Sequence, residues 1–282
     1  MQNNLRTGTL YVVATPIGNL NDMTLRAIEV LKTVDRIAAE DTRRAKILLN
    51  HFSIQKPMIA LHDFNETEVV SVLLNECQQG ASIALISDAG TPLISDPGYR
   101  LVKTLKEAGV SVVPIPGACA AIAALSAAGL PTDRFIFEGF LPAKPVACKE
   151  RLFALSHETR TMIFYEAPHR VLSVLKMMSE ILGEEREAVL ARELTKLHEQ
   201  IVSGTLQTIT HHFIAEPETL RGEMVILLKG GEKKQDTDML SPDAILDLLL
   251  EALPLKQAVL LTSKITKMRK NELYSSALRK KK

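Results

Sequence analysis

Ile86-Ser87-Asp88-Ala89-Gly90-Thr91-Pro92-Leu93-Ile94-Ser95-Asp96-Pro97-Gly98 is the stretch on which the reading of this chain turns. It follows an apolar run, Ser82 to Ile86, that reads as a buried strand, and it precedes a helix predicted from Pro97 to Ala108. Two Asp, two Gly and two Pro thus crowd the turn at the carboxyl end of a strand, the edge where open α/β sheets bind ligands. Gly90 and Gly98 allow a close backbone approach or a positive φ, and the prolines stiffen what lies between. A helix start with Asp96 as N-cap and Pro97 in the first helical position accounts for the second half. It leaves the upstream Asp-Gly-Pro set unexplained.

Working outward, the first half alternates strands and helices with short links. Strands are predicted at Thr9–Ala14, Arg36–Ala39, Met58–Leu61, Ser82–Ile86 and Val110–Pro114. Helices are predicted over Thr24–Val34 and from Asp41 to about Asn50; a third opens on an Asn65/Glu68 capping box and closes at Gly80. Such repeats argue for a mostly parallel sheet covered on both faces. Pro116-Gly117 opens an Ala-rich segment, Ala118 to Ala128, whose small residues suit a helix packed very close to its neighbour. From Arg134 onward, β-rich runs (Phe135–Phe140, Thr161–Tyr165, Ala188–Ala191, Glu223–Leu228) mix with helices near Pro168–Leu182 and Thr205–Phe213. This reads as a second α/β domain with more antiparallel pairing. Gly230 to Asp238 is polar and linker-like, and three helical patterns follow from Ser241. The expected division is 1–117, 118–232 and 239–282.

The chain has 282 residues, 46% hydrophobic and 24% charged, the balance of a soluble globular protein. No apolar run approaches the ~20 residues that span a bilayer. Met1 to Thr7 is polar and lacks the apolar core of a secretory signal. Cys77, Cys119 and Cys148 are too widely spaced for a metal or disulfide pattern, so a reducing cytoplasm and no metal are expected. Charge is uneven. Ser263 to Lys282 holds eight basic residues against Glu272 alone, a net +7, which leaves −6 for the rest of a chain of formal charge +1. Such a tail suits an anionic macromolecular partner or is simply a solvated terminus.

Several strand ends share residues unsuited to a plain turn. Thr15-Pro16-Ile17-Gly18-Asn19-Leu20 lacks the glycine spacing of a dinucleotide loop, and no triphosphate-binding G-x-x-x-x-G-K-[ST] occurs. Glu40-Asp41-Thr42-Arg43-Arg44 offers two carboxylates and two guanidiniums; it either caps a helix through Asp41 or engages phosphate. Phe164 through Arg170 and Arg192-Glu193-Leu194-Thr195-Lys196 repeat the pattern, with His169 read as an exposed first-turn residue. No Ser/His/Asp set or metal-ligand spacing is present in these turns.

Taken in order, these six pieces resemble the two-domain tetrapyrrole-methylase superfamily of S-adenosyl-L-methionine-dependent methyltransferases. They resemble most its branch that methylates a cytidine ribose 2′-hydroxyl in the decoding region of small-subunit (16S) ribosomal RNA. The likeness spans about Gly8 to Lys229. It implies an α/β fold with a cofactor cleft between two domains, followed by a small basic helical module. By motif it places Pro16 at the cleft floor, with Asp88, Ala89, Gly90, Thr91 and Ile94 on the methionine and ribose side. Cys119 and Ala120 follow Pro116-Gly117, and Tyr165 and Ala191 approach the adenine. The chain has Gly90-Thr91-Pro92 where small-molecule relatives carry Gly-Asp-Pro.

Methyl transfer to a ribose hydroxyl needs alignment, a dry site and a proton acceptor. Asp88 and Asp41 are the sequence candidates for the acceptor, and Arg43 for holding the adjoining phosphate. Arg44, Lys267, Arg269, Lys270, Arg279 and Lys280 are the further expected RNA contacts. The partner is small-subunit ribosomal RNA or the assembled small subunit, and the superfamily implies a homodimer. A methyltransferase acting on a tetrapyrrole or other small molecule, and a non-catalytic ribosome-binding protein, are the competing readings.

Overall fold

The computed structural model describes residues 8–62, 64–231 and 241–280, with side chains described as far as Ala277. Among them the contacts divide into two compact units, Met1–Gly231 and Glu232–Lys282.

The larger unit contains two five-stranded sheets. The first joins β1 (Thr9–Val13), β2 (Arg36–Ala39), β3 (Met58–Ala60), β4 (Ile83–Ile86) and β5 (Ser111–Ile115) in the order β3-β2-β4-β1-β5, every pair parallel. Successive side chains of a strand face opposite ways. Ala84 and Ile86 accordingly enter a core with α1 (Leu25–Thr33) and α2 (Thr42–His51), while Ile83 and Leu85 enter one with α3 (Glu66–Gln78) and α4 (Tyr99–Glu107). A strand buried on both faces has to be apolar throughout, and β4 is.

The second sheet has the order β6-β7-β10-β8-β9, from β6 (Phe135–Phe140), β7 (Thr161–Glu166), β8 (Glu187–Arg192), β9 (Gln200–Thr205) and β10 (Met224–Leu228). Only β6–β7 is parallel. The Ala-rich α5 (Ala120–Ala127) lies on one face against Ile163, Val189 and Val225, its alanines allowing the close approach expected of them. On the other face α6 (Pro145–Ala154), α7 (Pro168–Leu182) and α8 (Leu206–Ala215) bury Phe164 and Phe213 completely. Neither β9 nor α6 was assigned from sequence.

Two local expectations are corrected. Asp96-Pro97 does not start α4: the helix begins at Tyr99, with Gly98 at the N-cap and φ 119°. Leu93 and Ser95, at φ 73° and 70°, keep the chain in a left-handed turn until that glycine, so Asp96 is left facing elsewhere. Asn65 precedes α3 but makes no capping bond. Its Oδ1 accepts from the His62 N–H at 2.9 Å and its Nδ2 donates to the Ala60 carbonyl at 3.0 Å, holding the β3–α3 loop instead.

The smaller unit is three helices, α9 (Pro242–Ala252), α10 (Leu255–Thr266) and α11 (Lys270–Lys280), around Leu246, Ala258, Val259, Leu273 and Ala277. Pro242 at the first turn and the Ser241 hydroxyl accepting from the Ala244 N–H start α9. The predicted linker lies outside the described residues from Glu232 to Leu240.

Candidate functional site

The strand ends of the larger unit are locked together by polar contacts. Thr15 and Gly90 exchange backbone hydrogen bonds at 2.8 and 3.1 Å, forming a two-residue bridge between the loops after β1 and β4. Gly90 sits at φ 84°, a conformation that L side chains rarely adopt. The Thr91 hydroxyl donates to the Ala118 carbonyl at 2.9 Å, tying in the loop after β5. From the second sheet, the Tyr165 hydroxyl accepts the Ala121 N–H at 3.1 Å and so satisfies a free amide in the first turn of α5. Gly18 has no room for a side chain: a Cβ there would lie 2.5 Å from Lys196 Cγ and 3.0 Å from the Leu194 carbonyl oxygen.

These loops enclose a cavity of about 400 Å³, within the size range of small-molecule sites. Of the sequence candidates for cofactor contact, Asp88, Ala89, Gly90, Thr91, Ile94, Cys119, Ala120 and Tyr165 line it. Pro16 is buried one residue before Ile17, which does line the cavity. Ala191 is buried in β8, paired in register with the lining residue Val225. Arg44 lines the cavity and Arg43 is a largely exposed neighbour. Lys267, Arg269 and Lys270 are exposed at the α10–α11 turn of the smaller unit. The Arg279 and Lys280 side chains, and Lys281 and Lys282 altogether, lie outside the described residues. His169 is exposed, as read from sequence.

Charge in the lining is predominantly negative: Glu40, Asp88, Asp96, Glu166 and Glu223 against Arg44. Asp88 accepts the Asp41 N–H at 3.1 Å and pairs with Arg44 at 3.1 Å. Asp41 caps α2 through the Arg43 N–H at 2.8 Å, and its carboxylate takes two further bonds from the same guanidinium at 3.0 and 2.7 Å. That side-chain pairing holds Asp41 well below the usual carboxylate range, which makes it a weak base. Glu166 is 2% exposed, accepts the Ala167 N–H at 2.9 Å and lies 3.5 Å from Arg170; burial raises its pKa. Burial also pushes the Tyr165 phenol up, so it remains protonated while its oxygen accepts the Ala121 N–H.

Asp96, read from sequence as a helix cap, is a cavity residue that the sequence did not reveal. It lines the cavity, and its Oδ2 is buried with no hydrogen-bond partner. Burial, with smaller contributions from Glu40 and Asp88, pushes its pKa up to about 6, against a hydrogen bond from Ser87. An Asp two residues from a helix reads as a cap, and only the left-handed turn around Ser95 reveals otherwise.

Tyr165→Phe leaves the Ala121 amide without its acceptor. A lost hydrogen bond of this kind costs about 1 kcal/mol, so thermal unfolding is expected a few degrees below the parent.

A parallel sheet and a largely antiparallel one whose strand ends close on an acidic cavity define a candidate ligand-binding cleft of an α/β protein. The chain belongs to the tetrapyrrole (corrin/porphyrin) methylase family, whose model matches residues 9–210. Residues 237–281 match a second family, the RsmI C-terminal HTH domain. Curated relatives include the ribosomal RNA small subunit methyltransferase I of Haemophilus influenzae, 52% identical over 96% of this chain and 97% of that one. The protein of the same name from Pasteurella multocida is 51% identical over 98% of each. Among solved structures, a cobalt precorrin-4 methyltransferase of cobalamin biosynthesis aligns with a TM-score of 0.59 at 18% identity, covering 78% of this chain and 94% of that one. Uroporphyrin-III C-methyltransferase from Thermus thermophilus, complexed with S-adenosylhomocysteine, aligns with a TM-score of 0.54 at 20% identity over 80% and 98%. At those identities the structures share the fold.

Proposed function

We infer that the cavity holds S-adenosyl-L-methionine and that the chain methylates small-subunit ribosomal RNA. The finer reading is 2′-O-methylation of a cytidine ribose in the decoding region. The observation that carries it is the pairing of an acidic cavity with an arginine rim, in a chain about half identical to full-length relatives bearing the rRNA methyltransferase name. The residues fit the cofactor. The carboxylates Glu40, Asp88, Glu166 and Glu223 suit a compact cation, and Ile17, Leu194 and Val225 give its base an apolar wall.

Bound there, the cofactor supplies an electrophilic methyl group. Asp88, Ala89, Gly90, Thr91 and Ile94 hold its polar end, with Pro16 beneath; Cys119, Ala120, Tyr165 and Ala191 flank the remainder. Asp88 and Asp41 act on the catalytic end by fixing Arg44 and Arg43, whose guanidiniums engage the phosphates that flank the acceptor ribose. Gly18 and the loop at Leu194 keep the floor closed to water.

The smaller unit contributes backbone contact through Lys267, Arg269, Lys270, Arg279 and Lys280. Phosphate contact is blind to sequence and weakens with salt. Deleting Ser241 to Lys282 is therefore expected to lower RNA affinity roughly tenfold or more and to flatten its dependence on salt, read by filter binding across a salt series. The protein works in the cytoplasm, as a homodimer, and light scattering measures the latter.

Mass mapping of small-subunit RNA from cells lacking the protein tests the assignment. A lost methyl on a cytidine ribose in the decoding region supports it. An unchanged RNA rejects it in favour of a small-molecule acceptor or a ribosome-binding role without catalysis.

A further inference from the structure

Five carboxylates line the cavity, and four are already engaged. Asp88 pairs with Arg44 at 3.1 Å, and Glu166 lies 3.5 Å from Arg170. Glu223 pairs with Lys196 at 3.2 Å, and Glu40 faces the Asp88 N–H at 3.5 Å. Asp41, just outside, is bound twice by Arg43. Asp96 and Glu166 each hold a buried oxygen with no hydrogen-bond donor among the described residues; Glu166 Oε2 still has Arg170 at 3.5 Å, whereas Asp96 Oδ2 has no ion pair. A polar oxygen held dry without a partner is costly to fold around, and such an expense persists where a ligand completes it. The backbone bears a second expense at the same place: Leu93 and Ser95 both stand in the left-handed region, which places Asp96 in the cavity rather than at the end of α4.

We propose that Asp96 is the residue that takes the proton from the acceptor hydroxyl. The assignment rests on the methyltransferase reading above and names a group that the reading does not. The ribose O–H bond breaks with its proton passing to the Asp96 carboxylate, while the oxygen forms its bond to the methyl carbon. The carbon–sulfur bond breaks with its electron pair remaining on sulfur, so the cofactor leaves as a neutral thioether. Asp96 then returns the proton to water. Overall an alcohol and a sulfonium become an ether, a thioether and a proton.

The groups that act on Asp96 are Ser87 and Asp88 after β4 and Glu40 after β2, and Arg44 on α2 lines the same cavity. Cys119 before α5, Tyr165 and Glu166 at the end of β7, and Glu223 before β10 complete the surround. Burial and the neighbouring carboxylates lift Asp96 to about 6. It is then ionised at neutral pH yet a stronger base than an ordinary aspartate, the compromise general-base catalysis favours.

The test compares the full chain with Asp96→Asn and Asp96→Glu. Small ribosomal subunits from cells lacking the enzyme serve as acceptor, and S-adenosylhomocysteine is titrated by calorimetry. Asp96→Asn is expected to lower kcat about 100-fold or more, with the affinity for S-adenosylhomocysteine within a few-fold of the parent. The parent's kcat/KM should rise with pH through about 6, that limb should vanish in Asp96→Asn, and Asp96→Glu should restore part of the rate. A parent-like rate and pH profile in Asp96→Asn overturns the proposal. So does a loss of rate matched by an equal loss of S-adenosylhomocysteine affinity, which makes Asp96 a cofactor holder. If the parent itself leaves these subunits unmethylated, the reading beneath the proposal fails instead, and the two failures are distinct.

Discussion

Gly90→Val is expected to abolish binding of S-adenosylhomocysteine and to lower stability by about 2–4 kcal/mol. At φ 84° the position sits where a β-branched residue is strained, and its new Cβ would lie 3.3 Å from Ile17 Cγ2. Relief by rotating the backbone breaks the paired bonds to Thr15 at 2.8 and 3.1 Å. Those bonds, with the Thr15 hydroxyl's weaker ones to the Ser87 and Gly90 carbonyls at 3.3 and 3.4 Å, tie the loops after β1 and β4, so their loss opens the floor of the cavity. Chemical denaturation measures the stability change and calorimetry the binding. A variant that binds normally would show that the bridge is dispensable.

Asp96→Asn is expected to stabilise the fold above pH 6 while silencing the enzyme. The parent's carboxyl is raised from 3.8 to about 6, so the native state binds its proton more tightly than the unfolded chain does. Its contribution to stability is complete below pH 4 and is lost as the pH rises through 6. Linkage sets a ceiling of about 3 kcal/mol, and the solvent that reaches a half-open cavity reduces this to about 1–2 kcal/mol. The asparagine variant lacks that loss. Its melting temperature should equal the parent's near pH 4 and exceed it by roughly 2–6 °C at pH 8. A gap of the opposite sign would mean that the charge at Asp96 is compensated in the folded protein.

The first sheet was legible because its chemistry is local. An uninterrupted apolar β4 says that both faces are covered, and alternating strands and helices say that the neighbours run parallel. The Ala-rich α5 was legible for the same reason: its small side chains let it pack on Ile163 and Val225. By contrast β9 is a sheet edge of mixed polarity, Gln-Ile-Val-Ser-Gly-Thr, with one neighbour and no strong pattern. The cavity was visible only through resemblance, as a set of strand ends with nothing to say which would converge. Asp96 illustrates the limit. Its identity and its adjoining proline point to a cap, while its role depends on Ser95 turning left-handed and on Glu40 and Tyr165, far away in sequence.

In the proposed reaction the acidic lining of the cavity bears on turnover as well. The reagent arrives carrying a positive charge on sulfur and departs without it. The walls that draw it in therefore lose their hold at the moment the methyl group moves, and departure of the spent molecule is favoured by the same reaction that made it. On the proposed reading, a polyanionic acceptor is repelled from the interior and meets the arginine rim instead. In that reaction the carboxylates separate reagent from product by charge.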